Sequence, residues 1–378
     1  MSVDDRRIAV LVPAHEEESQ VAGVLAGIPA WVDHVVVIDD GSADRTSAVV
    51  TACATADPRI ELITLPENRG VGGALAVGYA WAVEHDVDVA VTMDGDGQMH
   101  PGEMIDLVLP IVRGQADYTK GNRLADPGYW SRIPRLRLLG NAVLSLLTKI
   151  ASGYWAVTDS QSGYSAAGRR ALRRIDWSSM YSRYGRPNDV LVLANVAGCR
   201  VADVPITALY GVGERSTMRI GRITLPMAWL LFRRFWYRMF YRYTLRDFHP
   251  LVFFYCLFCI TGVIGAVLVV RLVAMWVVHG YVPQTTALAL MFATLTGLNS
   301  LFFAFWMDMQ ANEPLNIRLG SDAEDERGSY EPSAPASPAQ VNVTQAQPPP
   351  MRVPMSDPAE STPAPPPVPD GEQRVEAQ

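Results

Sequence analysis

Short apolar runs alternate with helical patterns through the first hundred residues. Four runs are rich in β-branched and apolar residues and are bounded by polar turn residues: 8–12, 34–38, 59–64 and 87–93. Three segments between them place apolar residues at helical spacing: 18–28, 43–55 and 73–84. Strands that alternate with helices predict an α/β fold, a mostly parallel sheet with helices on both faces. Ligands bind such sheets at the carboxyl ends of the strands.

Two long runs without any charged residue follow in the last third of the chain. The first covers residues 251–270 and the second covers about 285–307. A helix of about 20 residues, at a rise of about 1.5 Å each, spans the hydrocarbon of a bilayer. Neither run has the polar face that a helix at the surface of a soluble core would show. We therefore predict two transmembrane helices, at about 251–273 and 285–307.

The arginines around these runs predict their orientation. The connection at about 277–284 has no Lys or Arg, whereas five arginines precede the first run: Arg233, Arg234, Arg238, Arg242 and Arg246. The positive-inside rule then places both ends of the hairpin in the cytoplasm. Residues 1–7 are charged and the next apolar run is too short for a signal peptide. We expect a multi-pass protein of the cell membrane, with the catalytic body and both termini in the cytoplasm.

Charge is distributed unevenly along the 378 residues, whose formal net charge is −7. Residues 1–118 carry 20 acidic and 6 basic side chains, and residues 119–250 carry 7 acidic and 21 basic ones. An acidic half followed by a basic half suggests one region that holds a cation and another that holds anions. The Pro-rich, acidic segment 320–378 lacks the apolar residues of a core, so we expect a disordered tail.

The pattern as a whole predicts four parts. They are a catalytic domain at 1–222, an amphipathic interfacial helix at 223–248, the two transmembrane helices within 249–310, and the tail at 320–378. The four cysteines are too few for a disulfide framework, which agrees with a reducing compartment.

Two carboxylates follow the fourth predicted strand, at Asp94 and Asp96 with Gly95 between them. Close carboxylates repel each other unless a cation lies between them. Oxygen ligands of this kind suit Mg²⁺ or Mn²⁺, and Gln98 can supply one more oxygen. A calcium loop of the EF-hand type is the alternative, but the required Glu at its twelfth position is absent. We therefore predict a site for Mg²⁺ or Mn²⁺.

Other motifs follow the remaining strands. Asp39 and Asp40 stand after the second strand, and a glycine-rich turn at 68–74 precedes a helix. Such a turn lets a nucleotide approach the backbone, although glycine serves ordinary turns as well.

The ordered motifs PAHEEE, VVVIDDGSADRT, ENRGVGGALAVGYAWA, DGDGQMHP, GNR, DSQSGYSAA and VADVPI resemble the family 2 glycosyltransferases of GT-A fold. Within that family the chain is most similar to the polyprenyl-phosphate, dolichol-phosphate mannose synthase-like branch. The resemblance covers about residues 5–220. It implies a metal-dependent enzyme that binds a nucleotide-diphosphate sugar and a polyprenyl phosphate beside membrane lipids, with no nucleic acid. A homo-oligomer stays open.

The resemblance also implies roles for individual residues. Nucleotide-sugar binding falls on Pro13, His15, Glu17, Asp39, Asp40, Asp94, Gly95, Asp96 and Arg123. Metal binding falls on Asp94, Asp96 and Gln98, and Arg123 bridges the two phosphates. The residues assigned to the reaction itself are Asp96, Arg123 and Asp189, with Asp189 expected to orient rather than deprotonate. The sequence has His15 and Glu16 where Tyr and Asn are usual in the family, which leaves the nucleotide base open.

The basic half offers cations for a lipid phosphate. Residues 130–150 alternate arginine with apolar residues at helical spacing, which predicts an amphipathic helix on the bilayer or an ordinary surface helix. The predicted lipid-phosphate ligands are Arg123, Arg135, Arg137, Asn141, Arg215 and Arg219.

The resemblance implies inverting transfer of a sugar from a nucleotide-diphosphate sugar to a polyprenyl phosphate. Two alternatives remain: a membrane-bound glycosyltransferase with a non-lipid acceptor, and a catalytically inactive membrane scaffold. A polysaccharide synthase is disfavoured because the chain lacks a QxxRW motif and further spans.

Overall fold

A computed structural model describes residues 3–125, 135–207 and 220–319 of the chain. The central sheet has eight strands in the order β3-β2-β1-β4-β6-β5-β7-β8. Their bounds are β1 Ile8–Ala14, β2 His34–Asp39, β3 Ile60–Thr64, β4 Val89–Thr92, β5 Tyr118–Asn122, β6 Ser165–Gly168, β7 Val201–Pro205 and β8 Asn316–Ile317. All pair in parallel except β6, which is antiparallel to β4 and β5.

Helices cover both faces of this sheet. The helices in the described ranges are α1 Val21–Gly27, α2 Thr46–Ala56, α3 Val71–Glu84, α4 Met104–Val112, α5 Arg135–Ser152, α6 Arg169–Arg174, α7 Arg186–Val196, α8 Ile220–Phe240, α9 Leu251–His279 and α10 Gln284–Asn312, of which α9 and α10 lie away from the sheet. Successive residues of β1 enter two separate cores: Leu11 packs in one cluster, and Val10 and Val12 pack in the other. Strands with both faces buried read as continuous apolar runs, which explains the sequence pattern.

The first helix begins later than the sequence predicted, at Val21 rather than residue 18. Glu16 has a φ of +58°, and the amides of Glu17 and Glu18 donate to the side chains of Thr46 and Asp44. The backbone therefore leaves β1 as a loop that is fastened to the start of α2.

The long apolar runs form two helices, α9 and α10, of 29 residues each. Both are long and apolar enough to cross a membrane, and only 11% and 22% of their most apolar windows are buried. They extend past the predicted ends at 273 and 307. Before them, α8 continues into a π-helical turn at Tyr241–Arg246, so the predicted interfacial helix at 223–248 has two parts.

A buried polar cluster joins this hairpin to the catalytic body. Arg238 of α8 makes two hydrogen bonds with Asp308 of α10, at 2.8 and 2.9 Å, and also donates to the carbonyl of Ile150 in α5. Tyr243 donates to the same carboxylate at 2.8 Å. After α10 the chain returns to the sheet, where Asn316 and Ile317 pair with Val201 and Ala202 of β7. Both ends of the hairpin are thus attached to the catalytic body.

Candidate active site

The carboxyl ends of β1, β2 and β4 bring the predicted acidic motifs together. The amide of Asp40 donates to the Ala14 carbonyl at 2.9 Å, and the amide of Gly95 lies 3.3 Å from the Pro13 carbonyl. The end of β1 therefore separates the segment that begins at Asp39 from the segment that holds Asp94 and Asp96. This is the edge of the sheet where the sequence predicted a ligand.

Two of the predicted metal ligands have the environment of a cation site. One carboxylate oxygen of Asp94, Oδ1, is buried and has no hydrogen-bond partner in the described part of the chain, and a bound cation would satisfy it. Asp96 accepts from the backbone amide of Gln98 at 3.0 Å. The pKa of nearby Glu17 is raised by burial first and then by the charges of Asp96, Asp44 and Asp94. Excess negative charge of this kind fits Mg²⁺ or Mn²⁺.

A cation bound by these residues would have an incomplete coordination shell. Among the described residues, no group of three His, Cys, Asp or Glu side chains is arranged to hold a metal. Two carboxylates and the Gln98 amide would need further oxygens from water or from a bound diphosphate.

The predicted nucleotide residues lie on three loops that meet at this edge. Asp39 accepts hydrogen bonds from the Ser42 amide, at 3.0 Å, and from the Ser47 hydroxyl. Asp40 accepts from the Arg69 amide at 2.7 Å. His15 is exposed, and its Nε2 lies 2.9 Å from the amide nitrogen of Asn68. The two aspartates therefore hold their loops in place, while the imidazole stands at the surface.

Arg123 follows β5 and is held by a residue that the sequence analysis did not single out. Its guanidinium makes an ion pair with Asp159, with Nε 2.7 Å from Oδ2 and Nη2 3.2 Å from Oδ1. Burial alone would raise the pKa of Asp159, but the charges of Arg123 and Lys120 outweigh burial and lower it. Arg123 is partly exposed and Asp159 is buried, so the carboxylate fixes the direction of the cation.

Lys120 lies beneath this pair and was also missed. It is buried within β5 and donates to the carbonyl of Ser162 at 2.5 Å. Burial lowers the pKa of its ammonium group to about 7. The signal in the sequence is a lysine within a segment that forms a buried strand, because lysine is rarely buried without a partner. That signal could have identified Lys120 as a candidate site residue. Asp159 stood inside the quoted motif DSQSGYSAA without being assigned a role.

The predicted lipid-phosphate ligands are placed only in part. Asn141 of α5 accepts from the side chain of Gln161 at 3.5 Å, beside Asp159. The side chains of Arg135 and Arg137, and all of Arg215 and Arg219, lie outside the described residues.

Asp189, which the sequence predicted to orient a substrate, is engaged by α8 in this structure. It is fully buried, and both of its carboxylate oxygens are bound by Arg234 of α8, with Nε 2.5 Å from Oδ1 and Nη2 2.9 Å from Oδ2. The Tyr181 amide donates to Oδ2 as well, at 2.7 Å. With both oxygens engaged, Asp189 anchors α8 in this structure.

An apolar groove of about 670 Å³ opens between α5, α8 and the long helices. Its lining includes Ile150 from α5, Trp236 from α8 and Phe305 from α10. Helix α5 thus contacts the Asp159 loop near its start and lines the groove near its end. Six residues separate Asn141 from Leu147, the first α5 residue of the groove, which is a rise of about 9 Å.

Residues 9–176 match the profile of glycosyl transferase family 2. The chain is 30% identical over 219 residues to the UDP-N-acetylglucosamine–dolichyl-phosphate N-acetylglucosaminyltransferase of Methanococcus voltae, covering 54% of this chain and 87% of the relative. It is 31% identical over 204 residues to the undecaprenyl-phosphate mannosyltransferase of Micrococcus luteus, covering 53% and 83%. The chain belongs to glycosyl transferase family 2 and is a glycosyltransferase.

The chain is similar to glucosyl-3-phosphoglycerate synthase of Mycobacterium tuberculosis, with a TM-score of 0.48 and 22% identity, covering 61% of this chain and 81% of that one. Other structures of that synthase hold UDP with Mn²⁺ or Mg²⁺. The predicted family is confirmed by the relatives, and the predicted mostly parallel α/β sheet is confirmed by the strand pairing.

Proposed function

We propose that this glycosyltransferase transfers a sugar from a nucleotide-diphosphate sugar to a polyprenyl phosphate, with inversion, at the cytoplasmic face of a membrane. The observation that carries this proposal is the apolar groove that α5 connects to the loop of the Arg123–Asp159 pair. The two relatives named above act, by their names, on dolichyl and undecaprenyl phosphates, which supports a lipid acceptor.

The proposed binding site for the nucleotide-sugar donor is at the carboxyl edge of the sheet. Asp94, Asp96 and Gln98 would hold Mg²⁺ or Mn²⁺, and the loops of Asp40 and His15 would hold the nucleotide. The bound cation would supply Lewis-acid stabilisation to the leaving diphosphate. The unpaired, buried Asp94 oxygen supports this assignment.

The proposed binding site for the lipid acceptor follows α5, which runs from the Asp159 loop to the groove. An acceptor phosphate near Arg123 and Asn141 would extend its isoprenoid chain along Leu147, Ile150 and Trp236. The groove is lined almost entirely by apolar side chains, which suits a hydrocarbon and not a soluble sugar acceptor.

The chemistry required of the side chains is modest. A lipid phosphate is already anionic, so its oxygen can attack the anomeric carbon without a general base. Arg123, directed by Asp159, would hold two mutually repulsive phosphates in register, which is a positioning and electrostatic role. A buried Asp189 with both oxygens engaged agrees with a reaction that needs no base.

The long helices support attachment to a membrane. Large apolar side chains along α9 and α10 are exposed, among them Val270, Phe292 and Phe302. Since both ends of the hairpin are attached to the catalytic body, the connection between α9 and α10 would lie on the opposite side of the bilayer. Arginines before α9 favour a cytoplasmic catalytic side.

The test uses the full-length protein in detergent with Mn²⁺, a polyprenyl phosphate and radiolabelled GDP-mannose, UDP-glucose or UDP-N-acetylglucosamine. Label that partitions into organic solvent is expected from one donor. Asp96→Asn should abolish the transfer, whereas Asp86→Asn, at an exposed and distant position, should leave it unchanged. Donor hydrolysis or transfer to a water-soluble acceptor, without lipid-linked label, would refute the lipid acceptor. A wild-type protein that binds no nucleotide sugar would refute the enzyme assignment.

A further inference from the structure

A buried arginine lies beside the carboxylate of Asp94. Arg186, the first residue of α7, is only 4% exposed. Among the described residues, its Nη2 donates one long hydrogen bond to the Gly163 carbonyl at 3.4 Å, and its Nε has no partner. The described residues supply it with no ion pair. A guanidinium buried in this way is unfavourable unless something else binds it.

Asp94 approaches the same point from the other side. A Cβ built on Gly163 would lie 2.8 Å from Oδ2 of Asp94 and 3.0 Å from Nη2 of Arg186. The two groups are therefore no more than about 6 Å apart, or about two hydrogen-bond lengths. They form no direct ion pair within the described part of the chain, so the space between them fits one bridging oxygen.

The charges of Arg186 and Asp94 determine which kind of ligand group can bind between them. Arg186 can only donate hydrogen bonds, and an ionised Asp94 can only accept them. With a cation at Oδ1, a phosphate oxygen placed between Arg186 and Oδ2 would still face a carboxylate oxygen, and an ammonium group there would be repelled by the guanidinium. A hydroxyl group suits both, because it accepts from Arg186 and donates to Asp94.

We propose that Arg186 is a specificity-determining residue that, together with Asp94, brackets one hydroxyl of the donor's hexose across Gly163. This inference rests on the proposed function, since it assumes a nucleotide sugar at the edge of the sheet. Removal of a side chain from such a hydrogen-bonded pair weakens binding by about ten- to a hundredfold. The nucleoside diphosphate alone carries no hexose, so its affinity should not depend on Arg186.

The first experiment compares binding of a nucleotide sugar with binding of its nucleoside diphosphate. Equilibrium dialysis with Mn²⁺ and the full-length protein would use GDP-mannose against GDP, and UDP-glucose or UDP-N-acetylglucosamine against UDP. Arg186→Met should lose about ten- to a hundredfold in affinity for the nucleotide sugar and less than about twofold for the diphosphate. Arg174→Met, at an exposed position on α6, is the matched control and should change neither.

Two further measurements do not require the arginine variant to fold. Gly163→Ala places a methyl group in the space and should reproduce the selective loss. Monodeoxy analogues of the bound nucleotide sugar should show one hydroxyl whose removal weakens wild-type binding about tenfold or more. Where Arg186→Met folds, a third comparison applies: the same removal should have little effect in that variant, as expected for a coupled pair.

The outcomes separate the inference from the function on which it rests. Equal losses for nucleotide sugar and diphosphate would overturn the inference and assign Arg186 to the phosphates. Unchanged binding in both variants, or no sensitive hydroxyl in the wild type, would also overturn it while leaving the proposed function intact. Failure of the wild-type protein to bind any nucleotide sugar would overturn both.

Discussion

Replacement of Asp308 by asparagine should destabilise the junction between the catalytic body and the two long helices. Asp308 is paired with Arg238, and their side chains are 1% and 0% exposed. Asparagine keeps the size of the side chain but removes its charge, so the Arg238 guanidinium is left buried without compensation. The Tyr243 hydroxyl, which donates to the same carboxylate, loses an ionic acceptor as well.

The size of the effect follows from burial. Removal of one partner from a buried ion pair costs about 3–5 kcal/mol, because the remaining charge stays desolvated. Exposed pairs contribute about 0–1 kcal/mol. The pair between Arg173 and Asp86 has a nearly equal distance of 2.7 Å, but its side chains are 56% and 61% exposed. Asp86→Asn is therefore a matched control for the same chemical change.

Thermal unfolding of the full-length protein in detergent would measure the difference. Asp308→Asn should lower Tm by about 6 °C or more, and Asp86→Asn by about 2 °C or less. Joint replacement by Arg238→Met and Asp308→Leu should recover most of the loss, since an apolar pair leaves no buried charge. Equal Tm shifts in the two asparagine variants would refute the claim that this buried pair stabilises the junction.

Three further predictions concern the groove, the buried lysine and the metal. Ala228→Trp should fill part of the apolar groove and raise KM for the polyprenyl phosphate severalfold without changing nucleotide-sugar binding; Ala266→Trp, on the exposed face of α9, should not. Burial lowers the pKa of Lys120 to about 7 in the folded protein from the ordinary lysine value of 10.5, so the unfolded chain binds more protons between these two pH values. Stability should therefore rise from pH 7 towards pH 10 relative to Lys120→Met, and parallel curves would contradict this. Chelation with EDTA should stop sugar transfer, and Mg²⁺ or Mn²⁺ should restore it.

Local patterns were enough to predict the sheet and the acidic edge. The run that became β1 is apolar without interruption because its two faces enter different cores, and that pattern identifies a strand covered by helices on both sides. Asp94 and Asp96 could be placed at one site because the carboxyl ends of parallel strands share an edge. The antiparallel strand β6 was not predicted, since its four residues carry no sign of direction.

Contacts between residues far apart in the sequence could not be predicted from local patterns. Asp159 and Arg123 are 36 positions apart, and nothing in either motif specifies that one holds the other. Arg234 was interpreted as one of several arginines that favour the cytoplasmic side, yet it is buried against Asp189. An arginine at an amphipathic spacing gives the same sequence pattern whether it faces a lipid phosphate or a buried carboxylate. Only the packed structure separates the two.

The strand β8 has a consequence for the order in which the protein can be completed. Its two residues are added to the edge of β7 only after α10, so the ribosome must finish both long helices before the eight-stranded sheet can close. If the hairpin inserts into a bilayer during synthesis, the catalytic body closes last, with the hairpin already in place. Membrane insertion would then be a step in the folding of the enzyme and would not only determine its location in the cell.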